Sequence, residues 1–223
     1  AVARNDHWGR TYESYSEDTQ LVTSYAAPFV EGMQSDLGDD GVAACVKHWV
    51  GDGGTTHGID QGETTLSLGE LRDVHMRPYQ PAIDAGVLTV IASFNSWNGN
   101  KCHGHKQLLS DVLKDEMGFE GFIISDWDGI DYLSEDYYDA VGKGVNAGID
   151  MFMVSVEWIE FISHVRNHVL NGTVSMQRID DAVRRILLTK FAAGLFDKPR
   201  PQERPWSNSD SFGADQHREI ARD

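Results

Sequence analysis

The chain has 223 residues, six prolines and 40% hydrophobic residues, the make-up of an ordinary globular domain with one sizeable core. Its formal net charge of -16 would repel phosphate backbones and anionic lipid, so no nucleic-acid partner is expected and a neutral ligand such as a sugar fits better. No apolar run reaches the roughly 18 residues that a spanning helix needs, so no membrane insertion is expected, and Cys45, in an apolar run, and Cys102, in a polar loop, form neither a metal nor a redox spacing.

The chain opens on Ala-Val-Ala-Arg-Asn without a charged n-region and apolar h-region, so these residues do not read as a secretion signal. Short apolar runs then alternate with amphipathic stretches, the pattern of parallel strands joined by crossover helices. The expected strands are Ala1 to Ala3, Val42 to Val46, Val87 to Ala92, Phe122 to Ser125 and Ile149 to Val154. Between them, Ser67 with Glu70 three residues later forms a capping box that starts a helix through Leu71, Val74, Ala82 and Ile83. A second helix follows Lys106, with Leu109, Val112, Leu113 and Met117 on one face, and stops at Gly118. A third uses Trp158, Ile162, Val165 and Val169 before Gly172, and a fourth runs from Ser175 through Ile179, Val183, Ile186 and Phe191 to Gly194.

The fold class is therefore α/β. Five strands cannot close the eight-stranded barrel that this alternation suggests, which takes about 250 residues, so either the sheet is open or strands are missing. After Phe196, Asp197-Lys198-Pro199-Arg200-Pro201 and Arg204-Pro205 read as a linker, and His217 to Asp223 as the start of the next helix, so 197–223 is assigned to the passage toward a second domain.

In a parallel barrel, functional side chains sit at the C-terminal ends of strands. Here the first run is followed by Arg10 and Glu13, the second ends in Lys47-His48, the third in Ser93-Phe94-Asn95 and the fourth in Asp126-Trp127-Asp128. A carboxylate beside lysine and arginine stays ionised at neutral pH, which suits a nucleophile attacking an anomeric carbon, and Asp126 is the best placed; the competing role is an N-cap for the following helix. Trp127 is placed to stack on a sugar ring or to pack in the core. Gly51-Asp52-Gly53-Gly54-Thr55 lacks the Walker-type lysine and reads as a sharp turn shaping the pocket rather than a phosphate cradle. Trp97 reads as structural, and His103 and Lys101 as loop residues able to reach ligand hydroxyls. No metal and no cofactor are expected.

Taken as a set, Trp8-Gly9-Arg10-Thr11-Tyr12-Glu13-Ser14-Tyr15-Ser16-Glu17-Asp18, Lys47-His48-Trp49-Val50-Gly51-Asp52-Gly53-Gly54-Thr55, Ser96-Trp97-Asn98-Gly99 and Gly121-Phe122-Ile123-Ile124-Ser125-Asp126-Trp127 resemble the family 3 glycoside hydrolases. The likeness runs in order from the first residue to about Phe196, and is nearest to the two-domain exo-acting β-glucan glucohydrolases and β-glucosidases, whose first domain is a (β/α)8-type barrel. It implies that this chain is an incomplete (β/α)8 TIM-type barrel of about the last five β/α units, with residues 1–196 as its C-terminal part. It implies a partner that is a β-glucoside or β-glucan oligosaccharide, Asp126 as nucleophile, Arg10, Lys47 and His48 on hydroxyls of the terminal glucose, and Trp127 walling the leaving-group side. It also implies a general acid/base outside this chain, on the second domain, and a glucose-binding aspartate from an early barrel loop that would precede Ala1. Phe94 stands where the branch often has tyrosine, so a hydrogen bond to Asp126 or to the sugar is lost there. The resemblance suggests a periplasmic or secreted setting.

Three other readings compete. The N-acetylglucosaminidase branch of the same family uses a histidine in the loop after Lys-His as acid/base, and His57 lies in that loop, although the Gly-Asp-Gly-Gly-Thr form resembles the glucosidase branch. A Schiff-base aldolase would use Lys47, but needs a lysine without acidic company. The third reading is a non-catalytic barrel fragment lacking its general acid.

Overall fold

A computed structural model of the chain describes residues 1–38, 41–204, 207 and 209–222. Pro205 of the expected linker and Asp223 of the expected last helix lie outside these residues. Strands run in chain order as β1 (Cys45–Trp49), β2 (Glu63–Thr64), β3 (Thr89–Ala92), β4 (Ser96–Trp97), β5 (Asn100–Lys101) and β6 (Phe122–Ile124). Val46, Val90, Ile91, Ile123 and Ile124 supply the β-branched side chains that suit a pleat covered by helices. β1, β3 and β6 form one parallel sheet in that order, with Val46 opposite Val90 and Val90 opposite Ile123. A small second sheet, β2–β4–β5, lies among the loops that follow.

Three expected strands are corrected. Ala1 to Ala3 forms no strand: the Ala3 amide donates to Ser16 O at 3.3 Å and the Arg4 amide to Gly53 O at 2.7 Å, so loops hold a buried Val2 and Ala3. The second strand lies later than expected, because Val42 is exposed and its amide closes α1 (Thr19–Gln34) by donating to Met33 O at 2.9 Å. Lys47 and His48 are consequently inside β1, where the register to β3 shifts between Val46 and Trp49 and the Lys47–His48 and Trp49–Val50 peptides are cis. Ile149 to Val154 contributes a single parallel bridge, Met151 to Ile124, because the Asp150 carboxylate takes the Ile123 amide at 2.8 Å.

The crossovers follow the sequence more closely. Ser67 and Glu70 make the reciprocal capping box of α2 (Leu68–Glu70), which continues in π-helical register over Leu71–Met76 and, past Pro78, into α3 (Tyr79–Asp84). The helix over Gln107–Glu116 is also π-helical; it ends at Gly118, φ 71°, with the Phe119 amide returning to Leu113 O at 3.2 Å. Two helices went unanticipated, α1 and α4 (Tyr137–Ala147), capped by Asp18 and Asp136. Pro28 interrupts the pattern of the first. Gly142 weakens that of the second, and it is required there because a Cβ would lie 2.7 Å from the His168 ring.

α5 (Trp158–Leu170) and α6 (Met176–Ala192), the latter capped by Ser175, complete the packing, and α7 (Asp215–Ile220) follows near the C-terminal end. Trp49, Leu71, Leu108, Leu109, Leu113, Phe119, Ile123 and Ile149 are fully buried between sheet and helices, each side chain contributing about 2 kcal/mol by leaving water. Trp97 is structural, its indole N–H on Leu66 O at 2.8 Å. Cys102 is not on an exposed loop: it is 0% exposed, its Sγ facing Val50 O at 3.6 Å, and burial pushes its thiol up to about 12.

Under β6 sits a buried ion network. Asp150 accepts from Lys114 Nζ at 2.7 Å and from Arg178; Arg185 reaches the Phe119 and Gly121 carbonyls at 2.6 and 3.0 Å and Asp181 at 2.9 Å. Burial pulls Lys114 down to about 8 despite its carboxylate partner. The network ties α6 and the 107–116 helix to β6, the strand that leads to Asp126.

Candidate active site

The end of β1, the loop after the N-terminal segment and the end of β6 meet at one polar cluster. Glu13 is its anionic hub. It accepts from Arg10 Nε at 2.7 Å and Nη2 at 3.0 Å, a bidentate fork, and from Lys47 Nζ at 3.1 Å. The Arg10 guanidinium, with help from Lys47, holds the Glu13 carboxyl down at about 2, and Glu13 in turn raises Arg10.

His48 is buried, and Nδ1 lies 2.6 Å from Asp52 Oδ2. A carboxylate can only accept, so Nδ1 carries the proton. Nε2, 3.2 Å from the obligate donor Arg10 Nη2, then presents its lone pair. Asp52 was not anticipated as a site residue; the His48-x-x-x-Asp52 spacing inside the glycine turn is the signal that could have revealed it. That turn shapes the cluster by placing Asp52, which is 7% exposed, beneath the ring.

Asp126 arrives just past β6 with a side chain 20% exposed. Its Oδ1 accepts the Trp127 amide at 2.7 Å, while Oδ2 is turned toward His48 Nε2 at 3.6 Å, too far for a hydrogen bond. One carboxylate oxygen is thus anchored and the other is left without a hydrogen bond among the described residues. The N-cap alternative does not apply, because the next α-helix begins at Tyr137 with Asp136 as its cap.

The structure therefore brings Arg10, Glu13, Lys47, His48 and Asp126 together. Trp127 is 64% exposed and out of the core, available to a ligand on the solvent side. His103 departs from its expected place: it is 0% exposed, so it touches no ligand, and its Nε2 accepts the Asp126 amide at 2.9 Å. Phe94 packs on the His103 ring at 5.4 Å and edge-on to Tyr132 at 5.7 Å, while Lys101 donates to the Phe94 carbonyl at 2.9 Å. Asp128, at φ 51°, clamps Ser155 through its amide at 2.8 Å and its hydroxyl at 2.5 Å, fixing the loop that follows Asp126. His57 is exposed and makes no hydrogen bond to the cluster among the described residues.

Among the described residues no group of three or more His, Cys, Asp or Glu is arranged to hold a metal ion, and no helix is long and apolar enough to cross a membrane. An apolar cleft between α1 and β1, lined by Trp8, Tyr25, Phe29 and Val46, touches Glu13, Lys47 and His48 but not Asp126. Its walls suit packing rather than sugar hydroxyls, so the polar cluster is the candidate site.

Residues 1–189 match the model of the glycosyl hydrolase family 3 N terminal domain. The chain is 34% identical to a beta-xylosidase of Formosa agariphila, over 98% of this chain and 32% of that protein. It is 34% identical to a periplasmic beta-glucosidase of Salmonella typhimurium, over 89% of this chain and 26% of that protein. Among solved structures, the exo-1,3/1,4-beta-glucanase from a Pseudoalteromonas species superposes with a TM-score of 0.92 at 44% identity, over all of this chain and 29% of that one. A beta-glucosidase from Listeria innocua, solved in complex with isofagomine, superposes at 0.86 with 30% identity, over 99% of this chain and 32% of that one. The chain thus spans about a third of the length of the relatives it matches.

Proposed function

The chain belongs to glycosyl hydrolase family 3, and from that premise we propose that it carries the nucleophile and most of the sugar-binding groups of a retaining, exo-acting β-D-glucosidase or β-glucan glucohydrolase. The observation that carries this reading is the placement of Asp126: a carboxylate at a strand end, one oxygen anchored on the Trp127 amide and the other facing the cluster of His48, Arg10 and Lys47.

In the proposed reaction Asp126 Oδ2 attacks the anomeric carbon as the bond to the leaving oxygen breaks. A carboxylic acid gives that oxygen its proton, and water then displaces Asp126 with net retention. Arg10, Lys47 and His48 hold hydroxyls of the terminal glucose, a hydroxyl taking the place of Arg10 on the His48 Nε2 lone pair, and Trp127 faces the leaving group. Glu13 is not the acid, since its carboxyl is held at about 2 and stays ionised near neutrality; Asp52 is committed to His48. The proton comes from outside this cluster, and the resemblance implies a glutamate of a second domain. The Gly-Asp-Gly-Gly-Thr form of the turn favours this reading over the N-acetylglucosaminidase alternative.

In the same reading residues 1–196 are the C-terminal part of a (β/α)8 barrel and 197–223 lead to the next domain. The sheet supports this, since β1 has β3 as its one strand neighbour among the described residues and is open on the other side. A periplasmic or secreted setting is proposed with it, in keeping with the name of the Salmonella relative.

The test is covalent trapping. A full-length protein containing this domain is treated with a 2-deoxy-2-fluoro-β-glucosyl fluoride and the labelled peptide is mapped. Label on Asp126 is expected; label on any other carboxylate refutes the assignment.

A further inference from the structure

Asp126 is held from beneath by a residue that no substrate can reach. Its backbone N–H donates to His103 Nε2 at 2.9 Å, and His103 is 0% exposed. The ring is wedged in place: Phe94 packs on it at 5.4 Å, and a Cβ at Gly129 would lie 2.3 Å from Nε2, so only glycine lets the loop after Asp126 pass so close. A ring nitrogen that accepts from an amide carries a lone pair, which puts the proton on Nδ1 and leaves the imidazole neutral. The Ser93 backbone interacts with the other side of the ring, which leaves Nε2 as the nitrogen that meets the Asp126 peptide.

We propose that His103 is a positioning residue for Asp126, a buried ring that fixes the nucleophile's peptide and thereby decides which carboxylate oxygen faces the reacting carbon. The chain of contacts is short. His103 fixes the Asp126 amide, the next amide, of Trp127, fixes Oδ1 at 2.7 Å, and Oδ2 is left as the oxygen turned toward His48. A charged ring would set an N–H against the Asp126 N–H and break this hold. Burial, reinforced by the charge of Lys101, prevents that by pressing the His103 pKa down to about 3.

This inference rests on Asp126 being the nucleophile, and one experiment separates the two. In a full-length protein containing this domain, His103→Leu removes the acceptor, whereas His103→Gln returns a side-chain oxygen near the position of Nε2. Read out are the rate at which the fluoroglucoside labels Asp126, kcat and KM on 4-nitrophenyl β-D-glucoside, and thermal unfolding. We expect His103→Leu to slow labelling and kcat about tenfold with KM within about twofold, and His103→Gln to recover most of the rate. Wild-type labelling by the Leu variant, or equal losses in both variants, overturns the positioning role. Label on another carboxylate in the wild type overturns the reading of the site and this role with it. Should the Leu variant not fold, the imidazole ¹⁵N shifts of the wild type decide: an Nδ1–H tautomer unchanged from about pH 8 to about pH 4 supports the inference, and a charged or Nε2–H ring near pH 6 overturns it.

Discussion

Replacing Asp52 by asparagine keeps the shape beneath His48 and removes the charge, so it isolates what the buried carboxylate contributes. His48 and Asp52 side chains are 6% and 9% exposed and 2.6 Å apart, which puts their hydrogen bond in the charge-assisted, poorly screened class. Such a bond contributes about 1.5–3 kcal/mol. The asparagine amide can donate to Nδ1 and drive the imidazole proton to Nε2, where it would confront Arg10 Nη2 at 3.2 Å, donor against donor. Arg10 would then swing away from the sugar site toward Glu13 alone. At about 1.4 kcal/mol per decade, losing the charge assistance together with the Arg10–His48 contact corresponds to a fall in kcat/KM of roughly 10- to 150-fold. The assay is steady-state hydrolysis of 4-nitrophenyl β-D-glucoside by the full-length protein, with fluoroglucoside mapping to show that label still falls on Asp126. A kcat/KM within about twofold of wild type would refute the argument that Asp52 sets the His48 tautomer.

Glu13→Gln releases both Arg10 and Lys47; because these groups are partly exposed the coupling is screened, and a rise in KM of about fivefold, with kcat nearly unchanged, is expected from steady-state kinetics. Burial holds His75 down to about 4, below its unfolded value of 6.5, so its contribution is fully present above pH 6.5 and is lost as pH falls toward 4. Urea unfolding should therefore show stability falling by up to about 1.4 kcal/mol per pH unit across that window, with a shallower slope in His75→Gln; equal slopes would count against it. Asp150→Ala leaves Lys114 and Arg178 with only the partly exposed Asp181 and strips the Ile123 amide of its acceptor, for an expected loss of about 3 kcal/mol in chemical denaturation. A loss below about 1 kcal/mol would show that the network relaxes around the gap.

Local signals were legible in the chain alone: the Ser67–Glu70 capping box, the Ser175 cap, the Gly118 stop, the parallel α/β class, and the gathering of Arg10, Lys47, His48 and Asp126 in one cluster. Each depends on neighbours within a few positions or on the family motifs. Tertiary contacts settled the rest. α4 forms despite its glycines because His168 packs where a Cβ would be. β1 lies three residues later than its apolar run because Val42 is spent on closing α1. The last expected strand is reduced to one bridge because the Asp150 carboxylate takes the place of a ladder carbonyl before Met151 and the Ser125 hydroxyl takes the Met153 amide after it. Asp52 and His103, four and 23 residues from the groups they hold, gain their roles only when the chain folds back to bury them beneath His48 and Asp126. Burial is what makes those two contacts matter, since it removes the water that would otherwise compete for the same hydrogen bonds, and burial belongs to the packed molecule rather than to any short stretch of sequence.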